Sequence, residues 1–143
     1  QAVILTDKEK MILTPTYHVM NMYKVHQDAT LIPLSFDSPM YTYNGESLPA
    51  LTVSASRDAN EKVHISFTNI DTKNGTAISI DLNELGLKNI TGSLLSSKNL
   101  QDHNSSENPN KIEPKNFKDF KFKKGMLEVT VPPFSVLVLE GTK

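Results

Sequence analysis

Four histidines and 16 acidic residues are the side chains of this sequence with the most obvious chemical potential, and cysteine is absent. His18 and His26 lie eight positions apart. On a helix this spacing separates them by about 12 Å along the axis, which is too far to share one metal ion without other ligands. We therefore predict that both histidines pack or hydrogen-bond at a helix interface. His64 lies on the polar side of a strand-like segment, and we expect it to be exposed.

Hydrolysis of a glycosidic bond requires two carboxyl groups that flank it. The glutamates of this chain fall in turns or at strand ends, without an apolar pocket around them, and we predict solvated positions for almost all of them. They are Glu9, Glu46, Glu61, Glu84, Glu107, Glu113, Glu128 and Glu140. No nucleophile elbow, phosphate loop or His-Glu-x-x-His pattern occurs. We accordingly assign no catalytic residue, no metal ligand and no cofactor-binding residue.

Aromatic side chains that could stack on sugars are few. Tyr17, Tyr23, Tyr41 and Tyr43 are the tyrosines, and the sequence has no tryptophan. Carbohydrate-binding sandwiches rely on exposed aromatic rings, so this composition weakens a sugar-binding role without excluding it. A free-standing carbohydrate-binding module therefore stays an alternative.

The composition indicates one globular domain of 143 residues, with 22% charged residues and a net charge of -1. This balance gives no electrostatic basis for a nucleic-acid or membrane partner. The apolar run 2–5 is far too short to cross a bilayer. Because the chain begins with Gln1 rather than Met, we interpret it as a piece of a longer protein.

The first 27 residues differ in character from the rest. The apolar runs 2–5 and 11–13 flank a polar turn, and Thr14 with Pro15 provides an N-cap and a first helical residue for a helix over 15–27. An unalternating strand before a widely apolar helix is typical of a βα unit in a larger α/β assembly. A short helix that caps an all-β domain is the open alternative.

From residue 29 the apolar period becomes two, which predicts an antiparallel β-sandwich over 29–143. The long polar stretch 99–116 predicts a loop. Strands are expected at 30–36, 50–55, 63–67, 77–82, 90–95, 118–122, 127–131 and 135–139. Their alternation predicts ten buried side chains: Val63, Ile65, Phe67, Ile78, Ile80, Leu82, Leu127, Val129, Val136 and Val138.

Three segments resemble the α-L-arabinofuranosidases of glycoside hydrolase family 51. The first runs from Ile4 to His26 and includes the string Leu-Thr-Pro-Thr-Tyr-His-Val at 13–19. The second is Asp102-His103-Asn104, with Asn108-Pro109 and Pro114, which resembles a loop of that family's sandwich. The third, at 132–139, resembles its final strand. The resemblance implies that 1–28 are the last strand and helix of a (β/α)8 catalytic barrel and that 29–143 are a jelly-roll-like β-sandwich.

The resemblance further implies an accessory domain of an enzyme that removes terminal α-L-arabinofuranosyl residues from arabinose-containing polysaccharides. The two catalytic glutamates and a substrate-contacting glutamine of the family lie upstream, so Gln1 is assigned no such role and the fragment is expected to be inactive alone. The implied partners are the catalytic barrel of the same chain and, through the parent, an arabinose-containing polysaccharide or oligosaccharide. A homo-oligomer is also possible. For such a parent we expect a bacterial periplasmic or extracellular location.

The helix over 15–27 is apolar on more than one side, so not all of it can face one sandwich. We expect part of it to pack on the barrel and to be uncovered in the fragment, which then dimerises or folds residues 1–13 over the helix. Met22 and Tyr23 are the side chains whose replacement we expect to alter self-association more than the fold.

Overall fold

The computed structural model describes residues 2–143, and Gln1 lies outside the described residues. Thirteen strands and one α-helix occur in this part of the chain. The strands are β1 Ile4–Asp7, β2 Lys10–Leu13, β3 Thr30–Leu31, β4 Met40–Tyr43, β5 Glu46–Pro49, β6 Leu51–Arg57, β7 Val63–Asn69, β8 Thr76–Asp81, β9 Asn89–Ser96, β10 Lys115–Phe117, β11 Phe120–Lys123, β12 Met126–Val131 and β13 Ser135–Thr142. The helix α1 spans Pro15–Tyr23 and continues as a 3-10 turn, Lys24–His26; a second 3-10 turn is Asn83–Leu85.

Two antiparallel sheets form the sandwich. The larger has six strands in the order β10-β9-β13-β7-β6-β3, and the smaller has three in the order β11-β12-β8. The main core lies between them, where Phe67, Leu127 and Leu137 are fully buried. This confirms the expected all-β, antiparallel sandwich. No helix among residues 2–143 has the length and apolarity needed to cross a membrane.

The core prediction is largely confirmed. Seven of the ten expected side chains are buried, while Ile78, Ile80 and Val136 are half-buried and pack against the apolar clusters. Ile78 and Ile80 are less covered because β8 is an edge strand of the smaller sheet. In β13 the main core is reached by Leu137 and Leu139, on the face opposite to the one expected.

The N-terminal segment differs from the expected unalternating strand. β1 and β2 pair antiparallel, with Ile4 opposite Leu13 and Asp7 opposite Lys10, so residues 4–13 form a hairpin directly before α1. The helix begins as expected: the Thr14 side chain accepts a hydrogen bond from the Tyr17 amide, and Pro15 follows it.

Two other strand predictions need correction. The expected strand 30–36 is reduced to β3, Thr30–Leu31, and Pro33 follows shortly after, where it cannot donate to a ladder. An unexpected hairpin, β4–β5, turns at Asn44-Gly45, with positive φ at both residues (49° and 83°). That combination is the geometry of a type I′ turn.

Candidate functional site

Helix α1 lies on the outer face of the six-stranded sheet. Buried Met22 packs in a second apolar cluster with Leu95, Ile112 and Val138, and Val19 and Val25 flank it. This position corrects the expectation for Met22, which faces the sandwich and not an absent partner. Beside the helix N-terminal end a cavity of about 310 Å³ remains, lined among others by Pro15 and Val19.

Hydrogen bonds attach the C-terminal end of the same helix face to strands β6 and β7. The Tyr23 hydroxyl lies 2.7 Å from Thr68 Oγ1. His26 Nδ1 lies 2.7 Å from Ser56 Oγ, and its Nε2 lies 2.9 Å from Ser66 Oγ. Ser66 Oγ also lies 3.5 Å from the Ser54 carbonyl oxygen. Each ring nitrogen of His26 thus has a serine hydroxyl as partner, and in the neutral ring one nitrogen donates while the other accepts. His26 therefore hydrogen-bonds at the helix interface, as predicted.

A second histidine, His64, lies beside the hydrogen bonds that join His26 to Ser56 and Ser66, which we call the clasp. His64 is 2% exposed, so the prediction that it is exposed is wrong. Its Nε2 lies 3.0 Å from Asp58 Oδ2, which fixes the Nε2 proton between ring and carboxylate, and its Nδ1 lies 3.9 Å from Glu140 Oε2. The other Glu140 oxygen accepts from Lys62 at 2.8 Å.

The neighbouring charges and burial shift several protonation equilibria. Burial lowers the pKa of His26, and the proximity of His64 lowers it further, so the neutral clasp is favoured. The hydrogen bond from His64 is the largest influence that holds the pKa of Asp58 below its usual value. The hydrogen bond to Glu140 raises the pKa of Lys62.

The long loop between β9 and β10 joins the sandwich to the N-terminal hairpin. Asn104 is buried; its Nδ2 donates to the Leu13 and Ile112 carbonyls, both at 2.8 Å, and its Oδ1 accepts from the Ile112 amide at 2.7 Å. Asp102 accepts from Ser97 and lies 2.8 Å from Lys111 Nζ. The Lys111 hydrogen bond, followed by that of Ser97, lowers the pKa of Asp102. The Asp102-His103-Asn104 segment thus holds the loop against the base of the hairpin.

Seven of the eight glutamates expected at solvated positions are exposed, and Glu140 is half-buried beside Lys62. Within residues 2–143 no group of three or more histidine, aspartate or glutamate side chains is placed to hold a metal ion.

Of the tyrosines, Tyr23 is hydrogen-bonded to Thr68, whereas Tyr41 and Tyr43 share one face of the β4–β5 hairpin by alternation.

Exposed apolar side chains occur around the hairpin and on the outward side of α1. Ile4 and Leu5 are each 44% exposed, Met11 is 63% exposed and Met20 is 60% exposed. We call these four residues the N-terminal apolar set. A second group of exposed apolar side chains lies on and before the β4–β5 hairpin: Leu31, Leu34, Phe36, Met40, Tyr43 and Leu48.

The family model of the α-L-arabinofuranosidase C-terminal domain matches residues 1–135. The chain belongs to this family. It is 38% identical over 141 residues to an intracellular exo-α-L-arabinofuranosidase of Bacteroides ovatus, covering 98% of this chain and 27% of that protein.

Solved structures agree with the arabinofuranosidase assignment. The family 51 arabinofuranosidase of Xanthomonas axonopodis pv. citri is 34% identical and superposes with a TM-score of 0.94, over 99% of this chain and 29% of that one. The α-L-arabinofuranosidase of Thermotoga maritima, solved as an arabinose complex, shares the fold at 24% identity, with a TM-score of 0.83 over 99% of this chain and 32% of that one. The chain therefore corresponds to the C-terminal domain of such enzymes and spans about a third of their length or less.

The expected location is wrong. The Bacteroides ovatus relative is named intracellular, which contradicts the expectation of a periplasmic or extracellular protein. None of the comparisons favours the alternative of a free-standing carbohydrate-binding module.

Proposed function

We propose that this domain is part of an intracellular α-L-arabinofuranosidase that removes terminal α-L-arabinofuranosyl groups from arabinose-containing oligosaccharides and polysaccharides. In this proposal the domain binds the catalytic barrel of its own chain and stabilises it, and the domain supplies no catalytic carboxylate. The family membership and the name of the Bacteroides ovatus relative support the activity and the location.

The observation that carries the structural role is the two-sided helix. One side of α1 is attached to the sheet through Met22, Tyr23 and the neighbouring His26, while Met20 on the outward side is 60% exposed. The exposed side chains of Ile4 and Met11 share one face of the hairpin by its register, and we assign them, with Met20, to the interface with the barrel. Each large apolar side chain that is buried on docking contributes about 1.5–3 kcal/mol.

The proposal divides the chain at residue 28, as the family resemblance implies. In this proposal residues 1–28 are the end of the barrel and residues 29–143 are the sandwich. Helix α1 nevertheless packs on the sandwich, where Met22 is buried against Leu95 and Val138. The helix is then a shared element that fixes the orientation of the two domains.

The test compares the isolated domain with the parent enzyme and with a parent that lacks residues 29–143. We expect aryl α-L-arabinofuranosidase activity only in the intact parent, because a retaining site requires two carboxyl groups about 5 Å apart, both of which we place upstream. Turnover by the isolated domain that is lost on mutation of one of its own glutamates would contradict the proposal. So would a barrel that is fully stable and active without the sandwich.

A matched pair of substitutions locates the interface. Met20 and Met40 are 60% and 58% exposed, but only Met20 belongs to the N-terminal apolar set. Met20→Gln is expected to destabilise the parent enzyme by about 1.5–3 kcal/mol and to leave the isolated domain nearly unchanged. Met40→Gln is expected to affect neither. Equal effects of both substitutions on the parent would show that the barrel does not cover Met20.

A further inference from the structure

The two ends of the N-terminal hairpin, at residues 2–3 and at Thr14, lie beside each other. The Thr14 amide and hydroxyl both donate to the Val3 carbonyl, at 3.2 and 2.8 Å, and the hydroxyl also lies 3.0 Å from the Ala2 carbonyl. The chain at residues 2–3 therefore lies beside the first turn of α1. Residues 4–13 leave this point and return to it as the β1–β2 hairpin.

The position of this hairpin has a consequence in a (β/α)8 barrel. In that fold the end of each strand and the start of the next helix lie on one face of the barrel, and the loops that join them build the active site. We propose that the β1–β2 hairpin is the last of these loops, and that its tip, 7–10, forms a wall of the substrate cleft that contacts the sugar chain bearing the arabinofuranosyl group. This inference rests on the proposed function, since it takes α1 as the last barrel helix.

The hairpin is long enough and fixed enough for this role. Each strand has four residues, so the tip extends about 13 Å beyond the base at roughly 3.3 Å per residue. Its return strand is attached to the sandwich, because Asn104 donates to the Leu13 carbonyl at 2.8 Å and Lys10 Nζ donates to the Ser106 carbonyl at 3.3 Å. A wall held at both points needs little ordering when substrate binds.

The chemistry of the tip suits sugar hydroxyl groups. The tip sequence is Asp-Lys-Glu-Lys, all four side chains are exposed, and none forms an ion pair with another side chain in residues 2–143. Lys10 already donates to Ser106, so the groups open to a ligand are the Asp7 and Glu9 carboxylates and the Lys8 ammonium group. Such charged groups form charge-assisted hydrogen bonds with hydroxyls. The expected ligand is therefore the neutral oligosaccharide beyond the cleaved bond, which a small aryl arabinofuranoside lacks.

The experiment uses the full parent enzyme and two substrates, an arabinose-substituted oligosaccharide and an aryl α-L-arabinofuranoside. The test variant is Lys8→Gly with Glu9→Gln. Lys8 has a positive φ of 54°, which glycine adopts without strain. The matched control is Lys124→Gly, since Lys124 has a φ of 49° in the turn between β11 and β12 on the smaller sheet.

We expect the test variant to lose about tenfold in kcat/KM on the oligosaccharide, mainly through a higher KM, and to keep its activity on the aryl substrate. The control variant should behave as the unmodified enzyme on both. Equal losses on the two substrates, or no loss on either, would overturn the assignment of the tip to the cleft. A parent enzyme with no activity on the aryl substrate would overturn the proposed function, and this inference with it.

A second measurement does not depend on turnover. Alkylation of a cysteine introduced as Lys8→Cys, quantified by mass spectrometry of its peptide, should be slowed at least severalfold by the oligosaccharide. A Lys124→Cys variant should be unaffected. Equal alkylation rates of Lys8→Cys with and without oligosaccharide would overturn the proposal even if the kinetic effect were present.

Discussion

Removal of the His26 imidazole should detach the end of the α1 segment from the sheet. In His26→Ala, the hydroxyls of Ser56 and Ser66 lose their ring partners, which lie at 2.7 and 2.9 Å in the unmodified domain. These two serines are 4% and 1% exposed there. A buried polar group that loses its partner costs about 1–3 kcal/mol. Ser66 keeps a long bond to the Ser54 carbonyl, so we expect a total loss of about 2–4 kcal/mol in the free energy of unfolding.

Urea denaturation of the isolated domain at pH 8, followed by far-ultraviolet circular dichroism, measures this loss. Double-mutant cycles with Ser56→Ala and Ser66→Ala should each give a coupling of about 1 kcal/mol. Ser54→Ala is the control, because Ser54 lies on the same sheet face but its side chain is exposed. Couplings below about 0.3 kcal/mol in both cycles would refute the hydrogen-bonded clasp, since additive effects indicate independent sites.

The same variant also reports on the pH dependence. Burial, followed by the proximity of His64, lowers the pKa of His26 in the folded state. As the pH falls below about 6.5, the usual pKa of a histidine, the unfolded chain therefore binds more protons than the folded one. The contribution of His26 to stability is therefore complete above pH 6.5 and is lost as the pH falls through the lowered folded pKa. The stability difference between the unmodified domain and His26→Ala should shrink on acidification. A difference that grows would reverse the assigned direction.

Two further substitutions test the sandwich and its loop. Gly92→Ala should destabilise the domain by roughly 1–3 kcal/mol in urea denaturation, because the new Cβ would lie 2.9 Å from the Phe117 carbonyl oxygen on the neighbouring strand. The adjacent Ser93→Ala serves as control. If Gly92→Ala and Ser93→Ala were equally stable, β10 would have to move aside without cost. Asn104→Ala should lower the free energy of unfolding by about 2–4 kcal/mol, because three hydrogen bonds are removed from a buried site. It should also speed hydrogen exchange at the Ile112 amide. Unchanged exchange at Ile112 would mean that the loop is held by other contacts.

Alternation in the sequence was sufficient to predict the sandwich, because a period of two directly separates the buried face of a strand from the open one. It failed where both faces are covered. In β13 the inner face carries Leu137 and Leu139, while Val138 lies under α1 on the outer face, so both faces are apolar. His64 was misjudged for the same reason: its polar side of β7 is covered by neighbouring elements, which no local pattern records.

Other errors had a local signal that was available. Asn44-Gly45 is the strongest short sequence indication of a two-residue hairpin, and the β4–β5 pair follows from it. Pro33 argues against a long strand through 30–36. The β1–β2 hairpin had no such local signal. Short apolar runs are compatible with a parallel or an antiparallel neighbour, and only the pairing seen in the structure shows that β1 and β2 are antiparallel.

In the arrangement that we propose, the attachment of α1 lets one helix contact two domains. Val19, Met22, Tyr23 and His26 follow the i, i+3, i+4, i+7 spacing of one helix face, and this face is occupied by the sheet. The bonds of His26 and Tyr23 are directional, so they fix the rotation of the helix about its axis as well as its position. Met20 is thereby held on the outward side before any partner is present. Because this surface is already ordered, binding of a barrel to it would carry a smaller loss of conformational entropy. This favours tight association of the two domains.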